Sequence, residues 1–134
     1  MLTWDPHLSV NIATIDEQHK KLIEMACELD RGMRADYATD ILQPQFRQLL
    51  EFASLHFRTE EDLMERYTFP GLVTHRHDHL ALIRHAEEIM ERTTWGKPLL
   101  YMMGILDFIG NMLINHIQRT DREYSTYLNE RGVF

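Results

Sequence analysis

The sequence predicts an all-α fold: an antiparallel up-down-up-down four-helix bundle with an N-terminal arm. Three observations predict it. The 134 residues include only 6 glycines and 4 prolines, too few for a many-turned β protein. Those few breakers divide the chain into four long pieces. Within the pieces, apolar residues recur three and four apart, the seam spacing of packed helices. A single domain over residues 1–134 is expected. A chain of this size buries roughly two-thirds of its unfolded surface, enough for a core without disulfide staples.

The arm, residues 1–14, carries Trp4 and Pro6 and shows no period. The first helix is expected over 15–34. Its seam is Ile15, His19, Leu22, Ala26, Leu29 and Met33, in steps of 4, 3, 4, 3 and 4. The second is expected over 44–67, opening on Pro44, a residue suited to a first turn. Its stripe is Phe46, Leu49, Ala53, His56, Glu60 and Met64, and Phe69-Pro70-Gly71 ends it. The third is expected over 72–92, with Leu72, His75, His79, Leu82, Ala86 and Ile89 on one face. Residues 93–97 read as a turn, and Pro98 opens a fourth helix over 98–128. Its stripe is Met102, Ile105, Ile109, Leu113 and His116, continuing towards Thr120 and Asp121.

Charge and cysteine content narrow the function. The formal charge is −7 and no basic tract is present, which argues against nucleic acid and membrane surfaces as partners. Residues 1–10 lack a basic start followed by an apolar run, so no targeting signal is expected. Residues 98–117 have the length of a membrane span, but Asp107 in mid-stretch would cost about 2.5–3.5 kcal/mol there. Asn111, Asn115 and His116 add to that cost, and a buried helix is the expectation. Cys27 is the single cysteine, which excludes an intramolecular disulfide and a cysteine-based zinc site and fits a reducing, cytoplasmic setting.

The seams hold an anomaly. His19, His56, Glu60, His75, His79 and His116 occupy positions where a bundle wants leucine, and every helix contributes at least one. Burying an unpaired polar group costs a few kcal/mol, and a carboxylate more. A lone seam histidine is ordinarily a satisfied core residue. Five with a carboxylate, spread over four helices, need a common partner, and a metal cluster supplies one. His56-x-x-x-Glu60 and His75-x-x-x-His79 each set two ligands one turn apart on a helix face. Asp121 follows His116 by five residues, which turns it by about 140° on a regular helix, so it needs a long reach or a π-bulge. His7, His77 and His85 fall off the stripes and read as surface residues.

Seven ligands exceed the four of a single zinc, and calcium and magnesium prefer oxygen. Mixed imidazole and carboxylate ligation in a bundle core suits two irons. With Glu60, Asp121 and a solvent oxo or hydroxo group bridging both ions, three histidines fill one iron and two leave the other with a vacancy.

These residues resemble the hemerythrins, and the bacteriohemerythrins among them, over nearly the whole chain. The matching motifs are Ile15-Asp16-Glu17-Gln18-His19-Lys20-x-Leu22, His56-Phe57-x-x-Glu60-Glu61, Pro70 followed by His75-x-x-x-His79, and His116-Ile117-x-x-x-Asp121. The resemblance implies His75, His79 and His116 on the full iron, His19 and His56 on the open one, and Glu60 and Asp121 as bridges. It implies an apolar O2 pocket walled by Leu22, Phe57, Leu113, Ile117 and Tyr124. Met112 departs from the family, many of whose members carry a Trp there. The implied protein is a monomeric non-haem di-iron carrier or store that binds O2 reversibly as hydroperoxide, without catalysis. The rivals are a nitric oxide or peroxide reductase at the same site, a sensor module reporting to a protein partner or fused output domain, and an iron-storage or purely structural bundle.

Overall fold

A computed structural model describes residues 3–35, 39–92 and 110–134. Residues 93–109, and with them the expected turn and the first part of the fourth helix including Met102, Ile105 and Ile109, lie outside the described residues. The chain folds as an all-α four-helix bundle.

The arm is pinned by short polar contacts. Asp5 accepts the His7 N–H at 2.7 Å and caps a 3-10 turn, Pro6–Leu8. Asp16, one turn into the first helix, accepts from the Val10 N–H at 2.9 Å and from the Ser9 hydroxyl at 2.5 Å. The arm thus enters α1 (Ala13–Arg34) at a fixed angle. All six expected seam residues of α1 are buried.

Helix α2 is Thr39–Arg66, so Pro44 lies inside it and does not open it as expected. A proline that early in a helix removes one N–H donor while the fixed φ still suits the turn. The end of α2 is a Schellman cap. Thr68 takes a positive φ of 54°, its N–H reaches the Glu65 carbonyl at 3.1 Å, and the Phe69 N–H reaches Met64 at 2.8 Å. The Tyr127 hydroxyl donates to the carbonyls of Tyr67 and Thr68 at 2.9 and 3.0 Å, tying this corner to the last helix.

Helix α3 is Leu72–Arg92. Helix α4 is described over 110–129 and holds a π-helical turn, His116–Asp121, followed by regular helix Arg122–Asn129. Helix α1 packs on α2, and α2 on α3. Side-chain contacts close the ring: His75 and His79 of α3 meet α4, and Asp121 of α4 meets His19 of α1. No described helix is long and apolar enough to cross a membrane.

The core comes in two apolar clusters. One contains Leu22, Leu29, Phe46, Leu49, Leu113 and Ile117; the other Ile15, Met64, Tyr124 and Leu128. Fully burying each such side chain contributes about 1.5–3 kcal/mol. On α1, His19 falls between Ile15 of one cluster and Leu22 of the other. On α2, Glu60 falls between Ala53 and Met64 in the same way. The anomalous polar residues therefore form a belt between two apolar plugs, screened from water at both ends.

Candidate metal centre

Seven side chains were expected to converge, and six of them do. His19, His56, Glu60 and Asp121 form one group, and Glu60, His79, His116 and Asp121 a second; the candidate ligand atoms within each lie within 4.8 Å of one another. The two carboxylates belong to both groups and divide their oxygens between them. Glu60 Oε1 is 2.5 Å from His56 Nε2 and 3.6 Å from His19 Nε2, while Oε2 is 3.0 Å from His79 Nε2 and 3.7 Å from His116 Nε2. Asp121 Oδ2 is 2.9 Å from His19 Nε2, and Oδ1 is 3.0 Å from His116 Nε2. Each group is a donor set that could hold a metal ion, and the two groups share both carboxylates.

The π turn explains the reach of Asp121. An i→i+5 turn stacks residue 121 over 116, where a regular helix would rotate it away. The widening that the five-residue step required is therefore present.

His75 is the exception. It is buried and neighbours His79, with ring centroids 6.1 Å apart. Its Nε2, however, lies 2.9 Å from the Thr120 carbonyl at the end of the π turn, outside both groups. That carbonyl competes for the nitrogen the centre would need. His77 and His85 are exposed, as is His7.

The ring orientations are set from behind, by residues that seam spacing does not single out. His56 Nδ1–H donates to Gln18 Oε1 at 2.7 Å, and Gln18 is itself held by its amide on the Thr59 hydroxyl at 3.2 Å. Thr59 in turn donates to the Leu55 carbonyl at 3.1 Å. His79 Nδ1–H donates to Glu61 Oε2 at 3.2 Å, and Arg76 steadies Glu61 at 3.2 Å. Each relay holds a proton on Nδ1 and turns Nε2 towards the carboxylates. Gln18 and Glu61 sit on helix flanks, where polar residues ordinarily meet solvent. Their signal was adjacency: each is next to a candidate ligand in sequence.

The electrostatics are extreme for a bundle core. Burial alone would lower the His19 imidazole, but the carboxylates of Asp121 and Glu60 outweigh it and raise its pKa to about 9. His116 is likewise lowered by burial and lifted by Asp121 and Glu60, to about 10. Glu60 is opposed by burial but held well below the ordinary carboxylate range by His56, His116 and His19. The metal-free centre is thus two carboxylates balanced by protonated imidazoles.

That balance leaves the hydrogen bonding incomplete. Beyond those ion pairs, both oxygens of Glu60 and of Asp121, both nitrogens of His19 and Nε2 of His56 have no hydrogen-bond partner in the buried centre. Metal ions between the two groups would satisfy all of them except His19 Nδ1. The nitrogen and oxygen donor set, without sulfur, fits iron.

Beside the first group lies a small, largely enclosed cavity of about 10 Å³. Leu22, Ala53, Phe57, Met112, Leu113 and Ile117 wall it, and His19, His56 and His116 face it. Four of the five expected pocket residues are here. Tyr124 is not: it is buried in the other cluster, its ring 5.6 Å from His75. Eight residues beyond His116 is about 12 Å along a helix, which carries Tyr124 past the carboxylates to the far side of the belt. Ala53 takes a share of the wall that sequence spacing did not assign.

Comparisons with known proteins agree with this geometry. The family model described as the hemerythrin HHE cation binding domain matches residues 10–128. A bacteriohemerythrin of Clostridium acetobutylicum is 28% identical over 92% of this chain and 98% of its own. A hemerythrin-like protein of Naegleria gruberi is 29% identical over 93% of this chain and 92% of its own. A bacteriohemerythrin of Methylococcus capsulatus is 22% identical over 96% and 98%. The matched span encloses both ligand groups, and the chain belongs to the hemerythrin family, in its bacteriohemerythrin type.

Proposed function

We propose that this protein binds O2 reversibly at a pair of non-haem irons, as a carrier or store and not as an enzyme. His19 and His56 would hold one iron and His79 and His116 the other, with Glu60 and Asp121 offering one oxygen to each. His75 would complete the second set on leaving the Thr120 carbonyl. The iron pair, when bound, supplies the two electrons that O2 binding requires and recovers them on release.

The chain's own part is to orient and to exclude. Gln18 and Glu61 fix the imidazole tautomers so that Nε2 faces the centre. Leu22, Phe57, Leu113 and Ile117 keep water and anions away from the side on which His19 and His56 stand. Apart from the imidazoles, no side chain lining that cavity is polar.

The observation that carries this reading is that small apolar cavity set against the imidazoles of His19, His56 and His116. A reductase acting on nitric oxide or peroxide needs protons delivered at the site, and these walls deliver none. The test is anaerobic loading with ferrous iron followed by O2 titration. Two irons per chain, one O2 taken up per pair, and full return to the colourless reduced form on evacuation are expected. Direct passage to the ferric form, with turnover of nitric oxide or peroxide when a reductant is added, would refute the carrier reading.

A further inference from the structure

Two cavities approach the centre from the same side. One is the small cavity of about 10 Å³. The other is an open cleft of about 630 Å³ between α3 and α4, with Ala81, Leu82, Asn111 and Asn115 among its walls. Among the described residues, only Met112 and His116 line both. These two side chains stand between the open cleft and the small cavity.

They differ in what they can do. His116 is fixed from two directions, its Nε2 being 3.2 Å from His79 Nε2 and 3.0 Å from Asp121 Oδ1. The neighbouring wall residue Phe57 stacks flat on His79, with centroids 4.0 Å apart and planes 5° from parallel. Neither ring can swing without dismantling the centre. Met112 has no such tie. It is 6% exposed, turns about three side-chain bonds, and forfeits only dispersion contacts when it moves.

We propose that Met112 is the gate through which a small neutral gas passes between the α3–α4 cleft and the small cavity, a proposal that rests on the O2-binding reading of that cavity. The cleft itself is mixed, with Asp78, His85, Asn111, Asn115 and Arg119 beside Ala81 and Leu82, so the apolar part of the path begins at Met112. A hydrated anion would have to shed its water to follow it, whereas a diatomic gas would not. The gate therefore selects by polarity and size together, on the timescale of a side-chain rotation in a packed wall.

A gate is crossed in both directions, so altering it changes association and dissociation rates by one factor and preserves the equilibrium constant. A wall that holds bound gas changes dissociation alone. Stopped-flow O2 kinetics on the iron-loaded protein distinguish the two. Met112→Ala should raise both rates about tenfold. Ala81→Trp, on the exposed side of the cleft and away from the centre, should lower both. A second readout uses the metal-free protein with labelled methionine methyls under O2 pressure. The Met112 methyl should be relaxed by O2 more strongly than those of Met33 and Met64, which are 3% and 0% exposed. Unchanged rates in both variants, or a Met112 methyl no more relaxed than that of Met64, would overturn the gate. A protein that takes up no O2 reversibly would refute the carrier reading instead, and the methyl measurement would then decide the gate by itself.

Discussion

Replacing Leu113 by alanine tests the exclusion of water directly. Leu113 is 4% exposed and walls the cavity beside His19, His56 and His116. At about 10 Å³ that cavity is about the size of one water, which needs about 10–15 Å³ and two to four polar partners. Leu113 is one of the apolar side chains that hold it to that size. Removing three carbons should enlarge it enough to admit further water beside the imidazoles. Stability should fall by about 3–5 kcal/mol, the usual cost of a buried leucine truncated to alanine, or roughly 10–15 °C in melting temperature. Iron content should stay at two per chain. The oxygenated form, followed by its visible absorbance, should convert to the ferric form at least about tenfold faster, a barrier loss of about 1.4 kcal/mol or more. Leu128→Ala is the control: equally buried, it belongs to the other apolar cluster, and should cost similar stability without hastening oxidation. Equal oxidation rates in wild type and Leu113→Ala, with iron retained, would refute the reasoning that the wall works by excluding water.

Three further outcomes are expected. Gln18→Ala removes the acceptor that fixes the His56 tautomer and should weaken metal retention about 10- to 100-fold in chelator competition. His56→Ala and His79→Ala should lower iron content measured by elemental analysis, whereas His77→Ala, on the exposed face of α3, should leave it unchanged. Loading the metal-free protein near pH 7.5 should release protons, because His19 and His116, raised to about 9 and about 10, are still protonated there and must lose those protons to become ligands. Metal affinity should accordingly climb as pH rises towards those values, and calorimetry in buffers of different ionisation heat reads the released protons; a release of none would show that the imidazoles are already neutral.

What sequence could reveal followed from geometry. A seam position is defined by the three-and-four spacing, so a histidine or glutamate on it is visible as a misfit. His19, His56, Glu60, His75, His79 and His116 were legible for that reason, and all are buried. Asp121 was half legible: the five-residue step shows that it needs a long reach or a widened turn, and only the fold tells which, through the π turn His116–Asp121. Gln18 and Glu61 were present in quoted motifs but had no assigned role, since a polar residue on a helix flank looks the same whether it meets solvent or an imidazole. Tyr124 was misplaced for the opposite reason: a shared helix face does not fix the distance along the axis. The diversion of His75 to a backbone carbonyl is a tertiary contact that no pattern along one helix encodes. Pro44 shows the limit of local signals, since five residues of α2 precede it.

The unequal spacing on the two carboxylate-bearing helices has a consequence for how such a centre can be rebuilt. On α2 the step from His56 to Glu60 is four residues and the acid is glutamate; on α4 the step from His116 to Asp121 is five and the acid is one methylene shorter. An inserted residue in one helix does the work of a carbon atom in the other. Backbone length and side-chain length are interchangeable here, provided they change together. Deleting Gln118 alone should straighten the turn and draw the carboxyl short of its partners, and Asp121→Glu alone should crowd them. Made jointly, the two changes should trade a π turn for a regular one and restore a carboxylate that reaches both halves of the belt.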